Sequence, residues 1–134
     1  DTTVAVHHLI FDGTMEKFPT LKIFVAHGGG YLPAYSGRID HAWGARPDCR
    51  GYNLKHKPSD YLKRMYFDTV VFSFDQLKYL IDKFSSDHII MGTDYPYDMA
   101  EDDPIEHVIG TEGLSKNDIE KITGANACSL FKIS

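Results

Sequence analysis

The chain is short of several things that would each mark a class of protein. It has two cysteines in 134 residues, Cys49 and Cys128, at no zinc or redox spacing, so they are expected to be inert, unpaired thiols of a reducing compartment. It has no run of Lys and Arg, and its net charge of −5 argues against a nucleic-acid binder. No apolar stretch approaches the ~18 residues of a membrane span, and no signal-peptide pattern is visible, so a cytoplasmic protein without a membrane partner is expected. There is no G-x-x-x-x-G-K-[ST] and no G-x-G-x-x-G, which removes the two common nucleotide-binding loops. Nor is there a G-x-S-x-G nucleophile elbow. The chain opens on Asp1 in place of Met, as an excised segment would. What remains is the composition of one ordinary globular domain, residues 1–134, at 43% hydrophobic and 25% charged.

Against these absences stands an excess of glycine in one place, VAHGGGYLPAYSGR over residues 25–38. Three consecutive glycines lose a large backbone entropy on folding, so they are kept where positive φ or a close approach to the backbone demands them. The expectation is that they leave room for a ligand to approach. His-Gly-Gly-Gly also serves as the oxyanion loop of lipase-like esterases, but that chemistry needs the missing elbow. A phosphate cradle is a second use of glycine-rich backbone, and no nucleotide motif accompanies it here.

Around this stretch the hydrophobic pattern alternates. Val6, Leu9, Ile10 and Gly13 keep helical spacing, predicting an amphipathic helix over 3–17, ended by Phe18-Pro19. LKIFVA (21–26) is a short, nearly continuous apolar run suited to a strand buried on both faces. Pro33 fits a first helical turn, and the stripe Leu32, Tyr35, Ser36, Ile39, Trp43 carries a helix to Arg46-Pro47. A polar loop over 47–58 leads to a short helix opened by Pro58-Ser59-Asp60. MYFDTVV (65–71) and HIIMGTD (88–94) are the other strand candidates. Between them Ser73 and Gln76 have the form of a capping box before the stripe Leu77, Leu80, Ile81, Phe84. Two closing helices follow, one capped by Ser115 and Asp118 and one over 125–132, with Gly124 between them as a C-terminal cap. Helices alternating with strands predict an α/β fold of parallel βα units.

Each strand candidate ends on a group able to do chemistry: His27, Asp68 and Asp94. In parallel α/β folds ligands bind at the carboxyl ends of strands. A histidine and carboxylates there suit a metal site or acid–base work, and Arg38 on the next helix offers a fixed fork for a substrate carboxylate. Each of them also has a plain reading, as a turn cap or a solvated helix residue. His7-His8 point apart on a helix and are expected to be exposed or packed. Tyr95 and Tyr97 are candidates for a pocket rim or for packing.

The motifs taken together, HGGGYLPAYSGRIDHAW (27–43), YFDTVV (66–71), IIMGTDYPY (89–97) and GANACSLF (124–131), resemble the second half of an amidohydrolase-type TIM barrel. The resemblance is to the branch of 2-amino-3-carboxymuconate-6-semialdehyde decarboxylase and related acid decarboxylases, and it covers nearly the whole chain in order. It implies the C-terminal part of a (β/α)8 barrel, about strands six to eight. It implies His27 as the catalytic histidine, Asp94 as a metal ligand that also moves protons, Arg38 on the substrate carboxylate, and a divalent ion, zinc, as cofactor. The implied activity is a metal-dependent non-oxidative decarboxylation of an unsaturated or aromatic acid, with a metal-dependent hydrolase or an inactive fragment as the other readings. Asp68 receives no catalytic role, and Asn126 in the closing motif is implied to be structural. The family's H-x-H pair and fifth-strand histidine have no counterpart in this sequence, so part of the metal site is expected to be lacking. Open edge strands are then expected to drive self-association or association with the rest of the barrel.

Overall fold

The computed structural model describes residues 2–52 and 54–133. Its centre is a three-stranded parallel sheet in the order β1 (Phe24–Val25), β2 (Tyr66–Asp68), β3 (Ile89–Ile90). The register sets Phe24 against Tyr66, Val25 against Phe67, Phe67 against Ile89 and Asp68 against Ile90. Helices α1 (Thr2–Phe11), α2 (Thr14–Lys17), α3 (Leu32–Ala45), α4 (Pro58–Leu62) and α5 (Phe74–Phe84) occupy the first two crossovers and the approach to them. After β3 come α6 (Pro104–Ile109), α7 (Lys116–Glu120) and α8 (Asn126–Phe131). No helix among the described residues is long and apolar enough to cross a membrane.

The core forms where the stripes predict. Val6 and Ile10 of α1, Leu77, Leu80, Ile81 and Phe84 of α5, and Phe67 and Ile89 of the sheet are all buried in one cluster. Phe67 and Phe84 stack at 4.4 Å between centroids, tying β2 to the helix that follows it.

Several expectations are corrected. The helix over 3–17 is two helices, because Gly13 takes φ 77 between them and Tyr52 packs where its Cβ would stand. The run 21–26 is not covered on both faces: Val25 is buried, but Phe24 is 41% exposed, with Phe131 edge-on to it at 6.0 Å. Ser73 does not form a capping box, since its hydroxyl donates to Asp75 and no helix N–H bonds to it. Cys49 and Cys128 are unpaired as expected, Cys49 half-buried and Cys128 exposed. Helix α6 had no counterpart in the sequence reading, although Asp103 caps it by accepting from the Glu106 N–H at 3.0 Å.

Gly124 is not a cap either. α7 runs through a π turn, Lys121–Ala125, straight into α8. The widened turn leaves the Ile122 carbonyl to accept from the Met91 N–H at 2.9 Å, so the helix docks on the end of β3 by a backbone bond. Asn126 completes the joint, its Nδ2 donating to the carbonyls of Ser86 and Ile89 at 2.7 Å each. The role implied for Asn126 is thus carried by its contacts.

The expected Ser115–Asp118 capping box is present and extends further. Asp118 accepts from Ser115 Oγ at 2.6 Å, Ser115 N at 3.0 Å and Ser86 Oγ at 2.5 Å. The hydroxyl of Ser115, then that of Ser86, hold its carboxyl down at about 2. A depressed carboxylate contributes stability above the unfolded value of about 3.9 and loses it as the pH falls toward the folded one. The Asp118→Asn chain should therefore lose less stability than the parent between about pH 4 and pH 2, read as urea midpoints against pH. Parallel midpoint curves would refute that. Asp87, whose carboxyl is also held low by Lys121 at 2.7 Å, is common to both proteins.

Candidate functional site

The HGGG stretch is a left-handed turn. His27, Gly28, Gly29 and Gly30 all have positive φ, at 58°, 55°, 81° and 62°. That conformation disfavours any Cβ, which is the first reason for the glycines. The second corrects the expectation that they make room for a ligand. A Cβ on Gly28 would stand 2.4 Å from Val71 Cγ1, one on Gly29 2.8 Å from Phe67 Cε1, and one on Gly30 2.6 Å from Thr3 Oγ1. The protein's own side chains fill the space, so the glycines serve close packing of the turn on β2, α5 and α1.

What holds the turn is Asp68. Its Oδ2 accepts from the His27 N–H at 2.9 Å, and its Oδ1 from Gly28 at 2.8 Å and Val70 at 3.1 Å. The residue is 6% exposed. Burial pushes its carboxyl above the usual aspartate value, against the downward pull of the Gly28, His27 and Val70 amides. Asp68 is therefore a positioning residue: it spends its lone pairs on the backbone that carries His27. The sequence placed it at a strand end but showed no such role, because main-chain donors leave no mark in a motif.

His27 projects from this turn toward Asp94, with Nε2 3.7 Å from Asp94 Oδ1. The two side chains are 53% and 29% exposed, so both are open to solvent or to a ligand. Asp94 lies four residues beyond β3 and also takes a left-handed φ, 63°. Non-glycine residues in that region are uncommon, and strain of this kind gathers at functional sites. Thr2 Oγ1 sits 3.3 Å from His27 Nδ1, on the opposite edge of the ring from Asp94. Thr69 bridges β2 to the approach of Asp94, its Oγ1 receiving the Gly92 N–H at 3.2 Å. Neither threonine was singled out in the sequence, where hydroxyls carry no spacing signal.

The structure brings His27, Asp68 and Asp94 together and sets Arg38 apart. Arg38 lies on α3 and lines an open cleft of about 1260 Å³ with Thr3, His7, Phe11, Tyr35 and Tyr52, a cleft that neither His27 nor Asp94 lines. Thr3 and Tyr31 of the cleft wall are joined by the Tyr31 N–H donating to Thr3 Oγ1 at 3.1 Å. His7 stacks on Phe11 at 4.2 Å, and His8 pairs with Asp12 at 3.0 Å, so they do not share a ligand. Burial and the neighbouring His8 lower the pKa of His7. Tyr95 and Tyr97 are exposed, which removes the packing alternative for them.

No group of three or more His, Cys, Asp or Glu side chains converges as a metal cage among the described residues. Asp94 and His27 supply two donors of the right chemistry, whereas a catalytic zinc site takes three from the protein. These residues alone do not fit a complete divalent site.

A parallel α/β sheet with an imidazole, a buried carboxylate and an open carboxylate gathered at the carboxyl ends of its strands defines an enzyme-like barrel or doubly wound domain. The comparisons narrow this class. The family model described as amidohydrolase matches residues 1–133, and the chain belongs to that family. It is 32% identical to 2-amino-3-carboxymuconate-6-semialdehyde decarboxylase of Dictyostelium discoideum, over 95% of this chain and 35% of that protein. Among solved structures it superposes on 5-carboxyvanillate decarboxylase from Sphingomonas paucimobilis with TM-score 0.86 and 29% identity, over 99% of this chain and 40% of that one. It also superposes on a dihydroxybenzoic acid decarboxylase from Polaromonas, solved with manganese and 2-nitroresorcinol, with TM-score 0.84 and 31% identity, over 98% and 40%. The chain thus spans about a third to two fifths of the length of the relatives it matches.

Proposed function

We propose that residues 1–134 form one partial barrel domain, carrying about strands six to eight and the proton-transfer half of the active site of a metal-dependent, non-oxidative acid decarboxylase. The observation that carries this is the His27–Asp94 pair, 3.7 Å apart at the strand ends with both residues in left-handed backbone. Membership of the amidohydrolase family and likeness to three acid decarboxylases support the reaction class.

In the reaction the bond between the carboxylate carbon and its neighbour breaks, carbon dioxide leaves, and the electron pair stays on the substrate carbon. A proton must arrive there. Asp94 and His27 are the groups placed to hold and deliver it, one as donor and the other as its partner. Arg38, a permanent cation, is proposed to hold a substrate carboxylate, which requires the substrate to extend from the His27–Asp94 pair into the cleft that Arg38 lines. When bound, a divalent ion supplies charge stabilisation at the acid. Asp94 is its proposed ligand here, and the remaining ligands are not found among the described residues. The manganese of the Polaromonas relative makes manganese the ion to try beside zinc.

The test is release of carbon dioxide from 5-carboxyvanillate, a dihydroxybenzoic acid and 2-amino-3-carboxymuconate-6-semialdehyde, with manganese or zinc added. It is run on this chain alone and joined to whatever segment its reading frame encodes before Asp1. Turnover of one of these acids only in the joined form is the expected result. Hydrolysis of an ester, amide or lactone panel with no carbon dioxide release would overturn the decarboxylase reading.

A further inference from the structure

His107 on α6 is 7% exposed, and neither ring nitrogen has a hydrogen-bond partner among the described residues. A buried polar group in that state is unfavourable and calls for a reason. The ring meets Phe74 edge-on at 5.5 Å, in a place that leucine or phenylalanine would fill without the penalty. What faces it is Glu101: His107 Nδ1 lies 3.3 Å from Glu101 Oε2, within ion-pair reach though not aligned as a hydrogen bond. The helix behind the ring is firmly seated. Val108 is fully buried, and Thr111 Oγ1 donates to the His107 carbonyl at 2.9 Å.

Glu101 connects this pair to the site. Its N–H donates to the Thr93 carbonyl at 2.7 Å, which ties the two ends of residues 93–101 together. Within that loop the Tyr97 N–H donates to the Asp94 carbonyl at 3.0 Å, and the Tyr95 N–H to Thr93 Oγ1 at 3.2 Å. The tip gains little from the core, since Tyr95 is 83% exposed and Tyr97 and Met99 are also open. A loop with few buried apolar contacts lies at the low end of local stability, so its order has to come from its base.

We propose that Glu101 and His107 are positioning residues, anchoring the base of the 93–101 loop and so holding the Asp94 carboxylate toward His27. This rests on the reading of Asp94 as a catalytic group. A reacting carboxylate on a loop depends on such a supporting contact to keep its orientation.

Amide hydrogen exchange and decarboxylase kinetics on Glu101→Ala, Glu101→Gln and His107→Phe test it. Glu101→Ala and His107→Phe should each speed exchange of the amides at positions 97 and 101 about tenfold, with Phe67 and Ile89 unchanged. They should lower kcat with little change in KM, and Glu101→Gln, which keeps an acceptor, should restore most of both. Unaltered loop amides in Glu101→Ala would overturn the proposal. So would a loosened loop with unchanged kcat. If His107→Phe loses protection throughout the core, Glu101→Ala, at a partly exposed position, decides the matter. The kinetics are read in the joined form, and if the joined parent decarboxylates nothing, the function reading fails and the exchange result alone decides the anchoring.

Discussion

Asp68→Ala is expected to lower stability by about 3 kcal/mol and to scramble the backbone that presents His27. The estimate starts from three main-chain donors, those of His27, Gly28 and Val70, which lose their acceptor together. A buried N–H left without a partner costs about 1–3 kcal/mol. Part of this is offset, because the variant no longer buries a carboxylate. Burial raises the pKa of Asp68, so the native protein takes up its proton more readily than the unfolded chain does. Its own pH-linked contribution is therefore greatest below about pH 3.9 and declines as the pH rises through the folded value, the reverse of Asp118.

Asp68→Asn separates the bonds. With its oxygen in place of Oδ1, asparagine keeps the Gly28 and Val70 bonds and sets an NH2 against the His27 N–H, where Oδ2 stood. Stability should fall by about 1–2 kcal/mol, with faster exchange at the His27 amide and protected Val70. Chemical denaturation and site-resolved exchange read both. An Asp68→Ala chain as stable as the parent would remove Asp68 from its positioning role.

The parts of the fold that were legible in the sequence are those set by side-chain periodicity. The α5 stripe and the Ser115–Asp118 cap follow from local spacing, and the structure repeats them. The parts that were not legible are set by backbone groups and by distant neighbours. Nothing near Gly124 says that the Ile122 carbonyl is wanted by Met91, so a glycine that looked like a stop lies inside a continuous helix. Nothing near Gly28 says that Val71 and Leu80 will fill the space beside it. The site divides the same way. His27 and Asp94 were visible as strand-end groups, and their meeting is a property of the sheet order. Arg38 was visible too, but it lies on α3 in the wall of a cleft that His27 and Asp94 do not line. Glu101 and His107 were invisible because α6 itself was not foreseen.

Loss of the His27 imidazole should remove most decarboxylation in the complete enzyme, a fall of about 10²–10⁴ in kcat, while metal content stays nearly unchanged. The choice of replacement matters. At φ 58° alanine is strained, whereas asparagine tolerates the left-handed region, so His27→Asn deletes the ring without adding a backbone penalty. The side chain is half exposed, and its contacts are the Thr2 hydroxyl and Asp94. The unfolding midpoint should hardly move, which separates chemistry from folding. Asp94→Asn also suits its φ of 63°, and there metal content and activity should fall together if the replaced carboxylate has both of its proposed roles, proton carrier and ligand. Elemental analysis beside steady-state kinetics distinguishes the two positions. Metal lost together with activity in His27→Asn would make His27 a ligand and reverse the assignment.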